Sequence, residues 1–319
     1  MSKPLRTGTL LRILGVVLSV FLLWLAFRGI APGEILRSLL RVSPFYLTLA
    51  LMGNLLLVVF KTLKWRLILG PVKRVSLFNL FSASLIGFAS SNLLPAKVGE
   101  LTKVYAVCKS ESLGALPVLG TVALDRVLEG AAMVLVMFFV FASTDVPGWL
   151  KSSGLSVSVI SLILLPVLYV MASTRLGERF SFLARLKQGF MILRSPASFV
   201  SAFLLSILIW CIHALILQFF FLAYGLTLPV WAPILFLVVV NLAIAVPSLP
   251  SAVGALEYAG ITSLLYMGVD RDLAASLVLL YHFVMSFPVT VLGIVAFLHS
   301  GLRLTDVTKD YVQKVRGEA

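Results

Sequence analysis

Eight long apolar runs divide the chain, at about 13–27, 44–60, 77–94, 116–141, 155–172, 197–224, 230–246 and 273–299. A helix needs roughly 20 apolar residues to cross a bilayer, and most of these runs are long enough. Charge is correspondingly scarce: 60% of the residues are apolar, 12% are charged and mean hydropathy is +1.07. Globular chains carry about 25% charged residues, so this one cannot coat a water-facing surface. A soluble enzyme, a coiled coil and a disordered chain are excluded. The expected fold is an all-α polytopic membrane protein, with residues 1–319 as one integral membrane domain.

The remaining charge is lopsided, with 26 Lys and Arg against 13 Asp and Glu, a net +13. In a soluble protein that balance suggests nucleic acid. Here it reads as orientation, because basic loops stay on the cytoplasmic side and face anionic lipid; no nucleic-acid partner is expected. Cys108 and Cys211 lie in or beside apolar runs without metal or redox spacing and read as packing residues.

Lys3, Arg6 and Arg12 precede the first run, but Ala26-Phe27-Arg28-Gly29 offers no small-x-small cleavage site. The segment is expected to remain as the first span. If every run crossed the membrane, basic 173–196 would lie outside and poorly charged 142–154 inside, against the positive-inside rule. If 77–94 instead returns through 96–107, and 230–246 through 252–268, six full spans and two re-entrant hairpins remain, with both termini cytoplasmic. Twenty basic residues then lie inside, counting 61–76 as one inside segment, five lie outside, and Arg126 falls within a span. Arg28, Arg37 and Arg41 fit least well and suggest a short interfacial helix around Gly33–Arg41. The 173–196 stretch reads as a basic amphipathic linker on the inner headgroups. Trp24, Trp65, Trp149, Trp210 and Trp231 read mostly as interfacial anchors.

The two hairpin tips resemble each other. The first reads Asn92-Leu93-Leu94-Pro95-Ala96-Lys97-Val98-Gly99-Glu100, and the second Pro247-Ser248-Leu249-Pro250-Ser251-Ala252-Val253-Gly254-Ala255-Leu256-Glu257. Both hold Leu-Pro-x-x-Val-Gly with a glutamate within three residues. Two such units in opposite orientation, about 44–141 and 197–299, form an inverted repeat, and broken helices at matching positions point to a transporter binding site. Proline ends the first arm, glycine permits close backbone approach, and free N–H groups of the second arm can bind an anion. Lys97, Glu100 and Lys103 flank the first tip, where lysines and helix-end amides suit a phosphate, and Glu257 is the matching carboxylate of the second.

Asp125, Arg126 and Glu129 lie well inside the 116–141 run, at spacings that let them share a helix face. Charges at that depth normally face a cavity. They suit a substrate or proton pathway, or else a self-neutralising cluster that locks helix packing. Asn54, Asn79, Asn92 and Asn241 are intramembrane amides for inter-helix bonding, with Asn92 and Asn241 the better cavity candidates. His213, His282 and His299 share no metal spacing and read as inter-helix hydrogen-bonding groups. No catalytic motif, cofactor fingerprint or metal cluster is found, and 173–196 is too short for a soluble catalytic domain.

The stretch from Asn92 to Lys103, Asp125-Arg126 with Glu129, and the stretch from Pro247 to Glu257 together resemble the lysylphosphatidylglycerol synthase transmembrane-region family, also called flippase-like or UPF0104. The resemblance runs over nearly the whole chain. It implies lipid translocation, with the headgroup held by Asn92, Pro95, Lys97, Gly99, Glu100 and Lys103 of one tip, Asn241, Pro247, Pro250, Gly254 and Glu257 of the other, and Asp125, Arg126 and Glu129. The family pattern usually has arginine where Lys97 and Lys103 stand, and lysine still holds a phosphate as a point charge. The soluble aminoacyl-transferase domain of the synthases is absent from these residues, so lysyl transfer is not expected.

The leading expectation is a flippase of the bacterial inner membrane for a phosphate-bearing lipid or lipid-linked glycan, working by alternating access between the hairpins. A membrane transferase, or the membrane subunit of one, is the alternative, and a lipid-binding scaffold the third reading. A separate lipid synthase or glycosyltransferase and a homo-oligomer are the partners considered. The six-span topology predicts that cysteines replacing Ser152 and Asp270 label from outside, whereas those replacing Lys73, Lys187 and Lys309 label only after permeabilisation. External labelling at position 187 would contradict it.

Overall fold

The computed structural model describes residues 7–30, 32–94, 99–143, 185, 188–245 and 249–302. These form ten α-helices: α1 Thr7–Phe27, α2 Pro32–Leu40, α3 Pro44–Leu69, α4 Leu77–Leu93, α5 Gly99–Glu111, α6 Ala115–Ser143, α7 Pro196–Ala223, α8 Ala232–Ala245, α9 Ala255–Tyr266 and α10 Arg271–His299. Among the described residues there is no strand. Prolines at the first position of α2, α3 and α7 suit helix starts, where no N–H is needed. Three helices, α3, α7 and α10, are long and apolar enough to cross a membrane. Helix α6 has 29 residues, but Asp125, Arg126 and Glu129 interrupt its apolar character.

Helix lengths recur along the chain. The series α3 to α6 has 26, 17, 13 and 29 residues, and α7 to α10 has 28, 14, 12 and 29. Helix α2 falls where a short helix was expected, and Arg37 pairs with Glu34 at 2.5 Å along it. The expected 155–172 span, nearly all of the 142–154 segment and most of the 173–196 linker lie outside the described residues.

The chain divides into two compact units. One holds residues 1–54, 90–98 and 213–288; the other holds 55–89, 99–212 and 289–319. In the first, α9 packs on both α8 and α1. Gly260 lets α9 approach α8 and α10 closely, since a Cβ there would stand 2.9 Å from Val278 Cγ2 and 3.1 Å from the Phe236 ring. Tyr281 meets Phe220 and Phe236 edge-on, with centroids 5.4 and 5.3 Å away.

Backbone groups stranded by irregularities in this unit find side-chain partners, as hydrocarbon requires. Pro288 inside α10 has no N–H for the Val284 carbonyl. Asn54 of α3 supplies the missing donor, with Nδ2 at 2.9 Å from Val284 O and 3.2 Å from Met285 O. Arg271 Nη2 caps the end of α1 through Leu25 O at 3.0 Å.

The second unit is built on Trp65, Ile68 and Leu69 of α3, Leu80 and Ile86 of α4, Val104 and Val107 of α5, and Val118 and Leu128 of α6. Gly87 lets α4 approach α5, because a Cβ there would lie 2.8 Å from Lys103 Cβ. Helix α3 continues to Leu69, so Lys61, Lys64 and Arg66 belong to a helix and not to a cytoplasmic loop. Trp65 is fully buried, with Nε1 donating to Thr121 Oγ1 at 3.1 Å, which corrects its reading as an interfacial anchor. His299 bonds Val295 O within its own helix, not between helices.

Candidate functional site

The charged residues of α6 gather partners from two other helices of their unit. Lys64 of α3 has no solvent exposure, and its Nζ lies 3.0 Å from Asp125 Oδ1 and 2.9 Å from Glu129 Oε1. Arg126 Nη1 donates to Glu129 Oε2 at 2.6 Å, one helical turn away, and Nη2 donates to Glu100 Oε1 of α5. Trp210 Nε1 of α7 donates to the Glu129 carbonyl at 2.8 Å. The expected spacing of Arg126 and Glu129 on one face is therefore present. Asp125, however, pairs with Lys64, which the sequence had placed in a loop.

Lys103 of α5 is only 5% exposed. Its ammonium sits over the Trp65 ring, 3.9 Å from the centroid, close enough for a cation–π contact. Among the described residues no carboxylate lies within ion-pair distance of it. Lys61 is part-buried one turn before Lys64, with Nζ 5.7 Å from the Phe88 centroid. The cluster thus holds four cations, Lys61, Lys64, Lys103 and Arg126, against three carboxylates, Glu100, Asp125 and Glu129. Arg126 keeps 47% of its side chain exposed, whereas Glu129 keeps 12%. An anion reaching this cluster would meet an open guanidinium and an ammonium without a carboxylate.

Of the first tip, Asn92 ends α4 and donates to Ser286 O at 3.3 Å, and Gly99 and Glu100 open α5. Pro95 and Lys97 lie outside the described residues. The second tip is described from Leu249 onward, so Pro247 lies outside, and Pro250 begins a short 3-10 turn to Ala252. Gly254 has φ +89°, and any Cβ there would collide with the Ser19 carbonyl of α1, so glycine is required on both counts. Ser19 Oγ also accepts from Leu249 N at 2.8 Å.

Glu257 turns back to its own helix start, where Oε2 accepts from Gly254 N at 2.6 Å. A protein carboxylate therefore stands at this helix N-terminus, where the sequence suggested room for an anion. Its other oxygen meets His282 Nδ1 of α10 at 2.5 Å, and His282 Nε2 lies 2.7 Å from Ser251 Oγ. Asn241 donates to Leu237 O in its own helix at 2.8 Å.

The tips share one further feature. Each glutamate opening a second arm pairs with a basic side chain on the following 29-residue helix: Glu100 with Arg126, 26 residues on, and Glu257 with His282, 25 residues on. Lys61, Lys64, Trp65, Ser251 and His282 are the site residues that sequence reasoning did not assign. An ammonium-bearing residue at the ragged end of an apolar run was the available signal for Lys64.

Three helices long and apolar enough to cross a membrane, among the described residues, make this a multi-pass membrane protein. The chain belongs to the family described as "Lysylphosphatidylglycerol synthase TM region", which matches residues 12–293. A UPF0104 membrane protein of Methanothermobacter thermautotrophicus is 23% identical, over 95% of this chain and 98% of its own length. Another, from Pyrococcus horikoshii, is 26% identical over 89% and 94%. A third, from Methanocaldococcus jannaschii, is 25% identical over 65% and 92%.

The ion pairs predict a specific pattern of stability. Lys64→Met strands buried Asp125, leaves Glu129 with Arg126 alone, and should lower stability in detergent by about 3–5 kcal/mol. Adding Asp125→Asn should recover a substantial part of that loss. A double variant no more stable than the single one would show that Lys64 is held by something other than its acidic partners.

Proposed function

We propose that the protein translocates a phosphate-bearing lipid or lipid-linked glycan across the bacterial inner membrane. The observation that carries this reading is the surplus cation of the α3–α5–α6 cluster. A buried ammonium without a carboxylate is unfavourable unless an anion completes it. Lys103 and the open side of Arg126 are placed to take a headgroup phosphate, while Lys64, Asp125 and Glu129 hold the helices that present them. The headgroup set read from the sequence also includes Pro95, Lys97 and Gly99.

Six spans with both termini cytoplasmic remain the topology that loop charge favours, with α4–α5 and α8–α9 as the re-entrant hairpins. Extending α3 to Leu69 moves Lys61, Lys64 and Arg66 out of the inside loops but leaves Lys73 and Arg74 there. The recurring helix lengths and the paired glutamates support an inverted repeat of about 44–141 and 197–299. Asn92 belongs to the first tip, and Asn241, Pro247, Pro250, Gly254 and Glu257 belong to the second half of the proposed translocation path. Alternating access of the two repeats would move the headgroup from one face to the other.

Equilibrium lipid binding separates this from a purely structural cluster. The purified protein should retain phosphatidylglycerol in native mass spectrometry and should not retain diacylglycerol, which lacks the phosphate. Lys103→Met and Arg126→Gln should each weaken phosphatidylglycerol binding at least about tenfold, the loss of one charge-assisted bond. Lys103→Met should do so with little change in thermal stability, since no carboxylate is left behind. Unchanged binding in both variants would overturn the proposal.

A further inference from the structure

The second tip carries a constellation that lipid translocation does not explain. Glu257, His282 and Ser251 form an ordered chain, with Oε1 to Nδ1 at 2.5 Å and Nε2 to Oγ at 2.7 Å. The proton positions follow from the partners. Glu257 Oε2 already accepts from Gly254 N, so the carboxylate acts as an acceptor at both oxygens and His282 carries its proton on Nδ1. In the neutral ring Nε2 is then the lone-pair nitrogen, and it faces the Ser251 hydroxyl.

Ser251 stands on unusual backbone. It has φ 57° and ψ 16°, and Ala252 follows at φ 58°, both in the left-handed region that non-glycine residues rarely adopt. Such strain persists where surrounding structure enforces it, and it concentrates at functional sites. Here Pro250 precedes the turn, and Ser19 and Gly254 fix it against α1. Ser251 remains part-exposed, and Ser286 Oγ lies 3.3 Å from its hydroxyl as a second donor. A simple hydrogen-bonded tie between tip and α10 would need neither the third member nor the strained serine.

We propose that Ser251, His282 and Glu257 are a nucleophile, general base and orienting carboxylate that act on a carboxylic ester, the linkage that joins acyl chains to glycerolipids. Ser251 Oγ attacks the carbonyl carbon while its proton passes to His282 Nε2. Glu257 holds the imidazolium through Nδ1–H. The tetrahedral intermediate collapses, the ester C–O bond breaks, and the alcohol leaves with the proton from Nε2. The acyl-serine is then resolved by water or an acceptor hydroxyl, whose proton goes to Nε2 and then back to Ser251. The arrangement requires no redox partner and no metal. It lies within the unit that holds α8, α9 and the first half of α10, and does not rest on the cation cluster.

The test uses the full-length protein in detergent with a fluorophosphonate probe, which labels only activated serines. Wild type should label at Ser251, as located by peptide mass spectrometry, and S251A should not. H282N and E257Q should slow labelling roughly 10²–10⁴-fold, as loss of a base or its orienter does. E257Q reads the same dependence if H282N fails to fold, because Glu257 acts on Ser251 only through His282. No labelling of monodisperse wild type, or labelling at Ser251 indifferent to both H282N and E257Q, would overturn it.

Discussion

A charge within hydrocarbon must find its opposite inside the protein, and Lys64 finds two. Its ammonium touches Asp125 and Glu129 with no water exposure, so α3 and α6 are held in one register by ion pairing as well as by shape. Breaking such a pair leaves an uncompensated charge, a far larger penalty than losing a surface bridge. Glu129 extends the arrangement outward, since its second oxygen holds Arg126, and Arg126 in turn holds Glu100 at the start of α5. The position of α5 thus depends on a chain of charges that begins at one buried lysine.

The same constraint explains which parts were legible in the sequence. Membrane crossing, helical content and the break points at the two tips follow from apolar run length and from Pro and Gly, all local signals. The i,i+3 pairing of Arg126 and Glu129 is local too. Lys64 was not legible in this way, because its partners lie 61 and 65 residues away and a lysine at the end of an apolar run looks like loop charge. Trp65 was hidden for a related reason: its end-of-run position resembles an interfacial anchor, and only the fold brings Thr121 and Lys103 to it. His282 has no signal at all in its neighbourhood, since what makes it notable is Glu257 on another helix.

The two tips are alike in sequence but differ in chemistry. Both begin a short helix with a glycine and place a glutamate in its first turn, and both glutamates reach a basic group on the next long helix. At the first, that base is an arginine that stays cationic and, with three lysines, outnumbers the three carboxylates. At the second, the base is an imidazole linked onward to a hydroxyl, and the glutamate itself covers the helix start. On the proposed reading, the first tip offers an anion-seeking set and the second a proton-handling one.

Movement of lipid is the most direct measure of the central claim that the cation cluster serves to carry a headgroup. Protein reconstituted into liposomes containing headgroup-fluorescent phosphatidylglycerol should make inner-leaflet lipid accessible to an impermeant quencher faster than protein-free liposomes do. Lys103→Met should reduce that rate to the protein-free background while leaving the protein folded. Wild-type protein that inserts and binds lipid but never exceeds background, or a Lys103→Met variant as fast as wild type, would contradict the account.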